Sequence, residues 1–96
     1  MKQKILIVGL GLIGGSIAMN VSKKEDVFIL GMDGDEETLN MALKQGVIDQ
    51  ASFNFEEAAQ EADICILATP ISITIDYIQK LESMDLKKQL LVTDVS

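Results

Sequence analysis

The 96-residue sequence contains no histidine and no tryptophan, and only one cysteine and one proline. Without histidine the usual general base is missing, and so are His-dependent nucleophilic triads and most catalytic metal sites. A single cysteine excludes an internal disulfide and any cysteine-based zinc cluster. That residue, Cys65, lies in an apolar run and is expected in the core. Basic residues are scarce too: eight Lys+Arg stand against fifteen Asp+Glu, a net charge of −7. A polyphosphate backbone would be repelled by that field, so nucleic acid is not an expected partner. Nor is there a run long enough to cross a bilayer as a helix, which takes about 20 residues. The longest candidate, Ile5 to Met19, is broken by Gly9, Gly11, Gly14 and Gly15. Lys2 and Lys4 ahead of it imitate a secretory signal, but no small-x-small cleavage site precedes the acidic segment that follows. What these absences leave is a small cytoplasmic module, with no membrane partner and little chemistry of its own.

What is present suits one folded domain spanning residues 1–96, with 48% hydrophobic and 24% charged residues. Lys4 to Val8 reads Lys-Ile-Leu-Ile-Val, an apolar run suited to a central parallel strand covered on both faces. Val27 to Met32, Ile64 to Ala68 and Leu90 to Thr93 predict further strands, with a short one around Ala51 to Phe53. Helical patterns lie between them. Ile13 to Lys23 carries Ile13, Ile17 and Val21 as a buried stripe. Glu36 to Gln45 puts Leu39 and Leu43 on one face, acidic residues in its first turn, and Gly46 at its C′ position. Phe55 to Ala62 predicts a short helix with Glu56, Glu57 and Glu61 on a solvated face. A last helix runs from Pro70 to about Ser83 with Ile71, Ile75 and Ile78 inward, followed by a polar turn from Asp85 to Gln89. The alternation predicts an α/β fold: a Rossmann-type, doubly wound parallel sheet of about five strands, order 3-2-1-4-5, with right-handed crossovers. The last strand ends with the chain and lacks an element to cover it, so an amino-terminal fragment of a longer protein is expected.

Gly9-Leu10-Gly11-Leu12-Ile13-Gly14 fits the dinucleotide fingerprint G-x-G-x-x-G. The pattern alone is weak, because glycine is common. Its setting, directly after a predicted strand and opening a predicted helix, gives it weight. Gly9 allows the tight turn, Gly11 lets a pyrophosphate approach the backbone, and Gly14 lets helix and strand pack closely. The N–H groups of Leu12 and Ile13 stand at the positive end of the helix, where an anion is favoured. A turn that merely permits close packing is the alternative.

Asp33 ends the second strand, 19 residues beyond Gly14, where a carboxylate accepts hydrogen bonds from adenosine ribose hydroxyls. A 2′-phosphate would meet that charge at close range, and Gly34 and Asp35 follow it rather than an arginine, so NAD is expected over NADP. Asp33 with Glu36 also fits a capping-box-like start to the next helix. Thr69 and Pro70 follow the Ile64 to Ala68 strand. Thr69 can cap the next helix with Pro70 at its N1 position, while the pair also stands at the sheet edge where ligands bind. No metal site is expected.

The glycine segment extends to Ile5-Leu-Ile-Val-Gly-Leu-Gly-Leu-Ile-Gly-Gly-Ser-Ile-Ala18. Together with Gly31-Met-Asp33, Gly46-Val-Ile-Asp49, Ala68-Thr-Pro70 and Val92-Thr-Asp-Val-Ser96, it closely resembles the amino-terminal domain of prephenate dehydrogenases and the related arogenate dehydrogenases. The resemblance covers essentially the whole chain in register. It implies a parent that oxidises prephenate with NAD, losing carbon dioxide and giving 4-hydroxyphenylpyruvate on the way to tyrosine. Gly9, Gly11, Gly14 and Asp33 match the family's cofactor positions, and Thr69-Pro70 its loop near the nicotinamide half. The resemblance places the catalytic serine just past the closing Thr-Asp segment, one residue beyond Ser96. It places the catalytic histidine, the substrate-binding arginines and a helical dimerisation domain further on, so that the parent is a homodimer. No catalytic residue is therefore expected in this chain, and the chain alone is expected to be inactive. The alternatives are another Rossmann oxidoreductase, such as an arogenate dehydrogenase or a different small-acid or imine reductase, and a non-enzymatic NAD-sensing module.

Overall fold

An apolar run with no polar face must be covered on both sides, and β1 (Gln3–Val8) is: Ile5, Leu6, Ile7 and Val8 are all buried. In the computed structural model, which describes residues 3–24, 26–83 and 91–94, β1 is the centre of a five-stranded parallel sheet. Around it in chain order come α1 (Leu12–Val21), β2 (Val27–Met32), α2 (Glu36–Lys44), β3 (Gln50–Ala51), α3 (Phe55–Glu61), β4 (Ile64–Leu67), α4 (Ile71–Ser83) and β5 (Leu91–Asp94). The strand order is β3-β2-β1-β4-β5, as the sequence predicts. Each expected element is found, with ends shifted by one or two residues. The predicted Asp85 to Gln89 turn, Leu90 and Ser96 lie outside the described residues.

The period of two along β1 sorts its side chains into two cores. Ile5 and Ile7 face α1 and α2 with Ile29, Leu39 and Ile48, while Leu6 and Val8 face α3 with Leu30, Phe55 and Cys65. The register Val8↔Met32 and Val8↔Leu67 brings the carboxyl ends of β2, β1 and β4 level. Crossovers leave β1 and enter β4 on opposite faces of the sheet, which opens a crevice between those two ends. Backbone groups at the opposite edge are closed by carboxylates. Asp63 accepts from the Lys4 N–H (2.8 Å) and Asp49 from the Ile29 N–H (2.8 Å).

Local chemistry explains where the helices stop and start. Asp35 caps α2, accepting from the Glu37 N–H and the Thr38 hydroxyl, and Asn54 caps α3 through the Glu57 N–H (3.0 Å). Gly46, at φ 73°, ends α2 as predicted. Its N–H bonds Leu43 and that of Val47 bonds Ala42, the paired closure of a Schellman motif.

The buried faces differ in detail from the sequence expectation. On α1 the deepest described positions are Gly14 and Ala18, with Ile17 and Val21 only partly buried beside them; the helix lies too near the sheet for larger residues at its centre. On α2, Leu39 is buried with Ala42, and Leu43 is 40% exposed. On α4, Ile75 is 49% exposed, and the inward stripe is Thr74, Tyr77, Ile78 and Leu81. A threonine can take the innermost place because its hydroxyl is bonded locally. The side chain of Ile71 lies outside the described set.

Cys65 is fully buried, as expected, and burial pushes its thiol from an ordinary 9.0 up to about 12. Below pH 9 folded and unfolded chains both carry the neutral thiol. As pH rises from 9 toward 12 the unfolded chain loses its proton first, so stability falls across that window. Denaturant titrations over this range should show the decline, and Cys65→Ala should flatten it. Alkylation of Cys65 at pH 8 is expected to proceed only as fast as the protein opens.

Candidate functional site

The crevice at the carboxyl ends of β1, β2 and β4 is a cleft of about 380 Å³. The backbone leaves β1 at Gly9 with φ 93°, a conformation that turns the chain at once into α1. The space around that turn is closed on one side and open on the other. A Cβ on Gly9 would lie 2.6 Å from the Ala68 carbonyl oxygen, and one on Gly14 would run into the Gly9 carbonyl. A Cβ on Gly11 would meet nothing within 4 Å. The closed side is the packing of turn, helix and β4, and the open side faces the cleft.

Gly11 holds the capping position of α1 and supplies no side-chain oxygen, and no acidic residue lies in the first turn. The first intrahelical bond is made by Gly15 to Gly11 (2.8 Å), which leaves the N–H groups of Leu12, Ile13 and Gly14 without partners inside the helix. Donors without an intrahelical partner at the positive end of a helix favour an anion.

Asp33 stands at the end of β2 beside this turn. One carboxylate oxygen accepts from the Leu10 N–H (2.8 Å) and the other from the Asp35 N–H (2.9 Å). The Gly9 N–H is tied to the same strand through the Met32 carbonyl (2.7 Å). Asp33 is therefore a clamp on the glycine turn. It does not cap α2, contrary to the alternative expectation; that role falls to Asp35, two residues nearer the helix. Each oxygen retains a lone pair for a ligand hydroxyl.

The opposite wall comes from the residues after β4. Ala68 is held by its N–H to Val8 (2.8 Å), and Thr69 and Pro70 follow it into the cleft lining. α4 begins at Ile71, so Pro70 stands one position earlier than the expected N1, and its carbonyl accepts the Thr74 N–H (2.9 Å). The Thr69 hydroxyl is 2.7 Å from that of Thr74.

Of the residues predicted from sequence, Gly9, Gly11, Asp33, Thr69 and Pro70 meet around one cleft; Leu12 and Ile13 follow Gly11 at the start of α1, and Gly14 packs against the Gly9 carbonyl. Ile73 and Tyr77 of α4 also line it and were not anticipated. Their signal is the i, i+3, i+7 spacing from Pro70, which the surrounding isoleucines obscure. Tyr77 is fixed by Phe55, the ring centroids 4.5 Å apart. A larger groove of about 490 Å³ lies between α1 and α2, walled by Met19, Met41 and Val47. It has no charged side chain and includes neither Asp33 nor the β4–α4 turn, so the smaller cleft is the better-equipped site.

A glycine turn leading from the central strand into a bare helix end, with a carboxylate at the tip of the neighbouring strand, defines a dinucleotide-binding domain of the doubly wound class. The family described as prephenate dehydrogenase, nucleotide-binding domain, matches residues 17–96, and the chain belongs to it. It is 50% identical over 93 residues to the prephenate dehydrogenase of Lactococcus lactis subsp. cremoris (strain MG1363), covering 96% of this chain and 26% of that protein. Among solved structures, prephenate dehydrogenase from A. aeolicus in complex with hydroxyphenyl propionate and NAD+ superposes with a TM-score of 0.82 at 28% identity, over 98% of this chain and 33% of that one. Arogenate dehydrogenase of Synechocystis superposes with a TM-score of 0.79 at 31% identity, again over 98% and 33%. The chain thus spans about a quarter of the length of the curated relatives it matches.

The three glycines separate by substitution. Gly14→Ala, which drives a carbon into a backbone carbonyl, should cost at least about 3 kcal/mol of stability. Gly9→Ala should cost about 1–2 kcal/mol from its positive φ, and more from the approach of the new carbon to the Ala68 carbonyl. Gly11→Ala should stay within about 1 kcal/mol of the parent. Denaturant unfolding of the three variants measures the order directly.

Proposed function

We propose that residues 1–96 are the NAD-binding domain of a longer prephenate dehydrogenase. The observation that carries this reading is the bare amino end of α1 beneath the open face of Gly11, with the Asp33 carboxylate clamped beside it. The pyrophosphate is held by the N–H groups of Leu12 and Ile13, and Gly11 permits its approach. The adenosine ribose hydroxyls donate to Asp33. Thr69 and Pro70 form the facing wall, together with Ile73 and Tyr77.

When bound, NAD supplies the hydride acceptor for oxidising prephenate, which loses carbon dioxide to give 4-hydroxyphenylpyruvate. This chain contributes binding and orientation. It has no histidine to act as a base. The groups that recognise and deprotonate the substrate belong, on this reading, to the rest of the parent, a cytoplasmic homodimer joined through a helical domain. No helix among the described residues is long and apolar enough to cross a membrane. An arogenate dehydrogenase is the second reading, supported by the likeness to the Synechocystis enzyme. The two share this domain's chemistry and differ in the groups beyond it.

Calorimetric titration of the protein with NAD and with NADP tests the cofactor assignment, and turnover with prephenate and with arogenate tests the substrate. Saturable NAD binding with NADP at least about tenfold weaker is expected, since a 2′-phosphate meets the Asp33 charge. Gly11→Val should remain folded and lose NAD binding; normal affinity in that variant would sink the cradle assignment. Asp33→Ala should weaken NAD and narrow its lead over NADP. An unchanged ratio would reduce Asp33 to a clamp on the turn.

A further inference from the structure

Thr74 is buried to 2% exposure on the inner face of α4, whose other inward residues are Tyr77, Ile78 and Leu81. A helical threonine commonly bonds back to the carbonyl four residues earlier. Here the Pro70 carbonyl accepts the Thr74 N–H, as in any helix, and the hydroxyl turns to a different acceptor. The Thr74 hydroxyl donates instead to the Thr69 carbonyl (2.9 Å), and it lies 2.7 Å from the Thr69 Oγ1. A hydroxyl has one proton to give. With Thr74's proton on the carbonyl, the short contact between the two oxygens requires the proton of Thr69. Thr69 therefore donates to Thr74, and the pair closes a ring.

That ring fixes the rotamer of Thr69. Its Oγ1 is drawn toward α4, and its methyl is left against the glycine turn, where Cγ2 stands 3.2 Å from the position of a Gly9 Cβ. Beside it is the Ala68 carbonyl, still closer to the same point. These two groups occupy the side of Gly9 where a side chain would stand. Thr74 itself lines no part of the cleft, while its helix neighbours Ile73 and Tyr77 do.

We infer that Thr74 is a positioning residue for the cofactor: by holding Thr69 in one rotamer, it sets the wall that seats the glycine turn at the depth the pyrophosphate needs. The inference rests on the reading that this turn takes the pyrophosphate of NAD. Without the Thr74 hydroxyl, the Thr69 carbonyl loses its donor and the Thr69 side chain is free to rotate. Its oxygen can then replace its methyl against Gly9, and the turn shifts by the difference.

The test is calorimetric titration of the full-length protein with NAD in five variants: Thr74→Val, Thr74→Ala, Thr74→Ser, Thr69→Val and the Thr69→Val/Thr74→Val double variant. Thr74→Val keeps the shape and removes the hydroxyl, and should weaken NAD about five- to tenfold, in line with the loss of a buried hydrogen bond. Thr74→Ala should do the same without any steric demand, so the test survives if the valine variant does not fold. Thr74→Ser restores the hydroxyl and should bind within about twofold of the parent. In the Thr69→Val background, adding Thr74→Val should change the affinity less than it does alone, since the two act as one unit. In NMR spectra the Thr69 methyl resonance should move in Thr74→Val and return in Thr74→Ser. Parent-like NAD affinity in a folded Thr74→Val or Thr74→Ala variant would overturn the inference and leave the cofactor reading standing. A parent protein that does not bind NAD would overturn both.

Discussion

The site depends on the absence of two carbon atoms. The turn after β1, the first turn of α1 and the backbone after β4 converge so closely that neither Gly9 nor Gly14 has room for a Cβ. That convergence brings α1 down onto the sheet with its amino end aimed at the crevice, and it leaves only Gly14 and Ala18 as deep described positions on the helix. It also leaves Gly11 facing open space. A looser arrangement would bury larger residues and fill out the core. It would also withdraw the unpaired N–H groups from the place where an anion can reach them.

Electrostatics is arranged around the same point. A net charge of −7 makes the chain as a whole unattractive to a diphosphate, so attraction must be local. The helix end supplies it, with no acidic residue in its first turn. The carboxylate that lines the cleft, Asp33, is occupied in part by the backbone N–H groups of Leu10 and Asp35. Holding the turn and accepting ribose hydroxyls are compatible tasks, because they use different lone pairs of the same group. One residue thereby links the shape of the pyrophosphate turn to the recognition of the adenosine end.

Much of this is legible in the sequence because it is set by short-range chemistry. Continuous apolar runs such as Lys4 to Val8 mark doubly covered strands, and the glycine spacing after the first of them marks the turn. Gly46 marks a helix end through its left-handed conformation. The errors share a cause: they concern which of several similar residues faces inward. Leu43 and Ile75 have the hydrophobicity of core residues, but Ala42 and Thr74 take the inner positions. The depth at which a helix sits on a sheet decides this, and it is set by residues distant in sequence. Asp33 and Asp35 present the same ambiguity at smaller scale, since two aspartates two residues apart are both plausible caps until the Leu10 N–H claims one of them. Ile73, Tyr77 and the Thr69–Thr74 pair escaped notice because a cleft wall built on one face of a helix has the same period as a core stripe.

The central claim is that a dinucleotide lies over the amino end of α1, in the cleft bounded by Asp33 and Thr69. Amide chemical-shift mapping on the isotopically labelled protein during titration with NAD tests it most directly. The account predicts that the largest shifts fall on the N–H groups of Leu10, Leu12, Ile13 and Gly14, with a second group at Asp33 and Thr69. Shifts concentrated on Met19, Met41 and Val47, in the groove between α1 and α2, would contradict it.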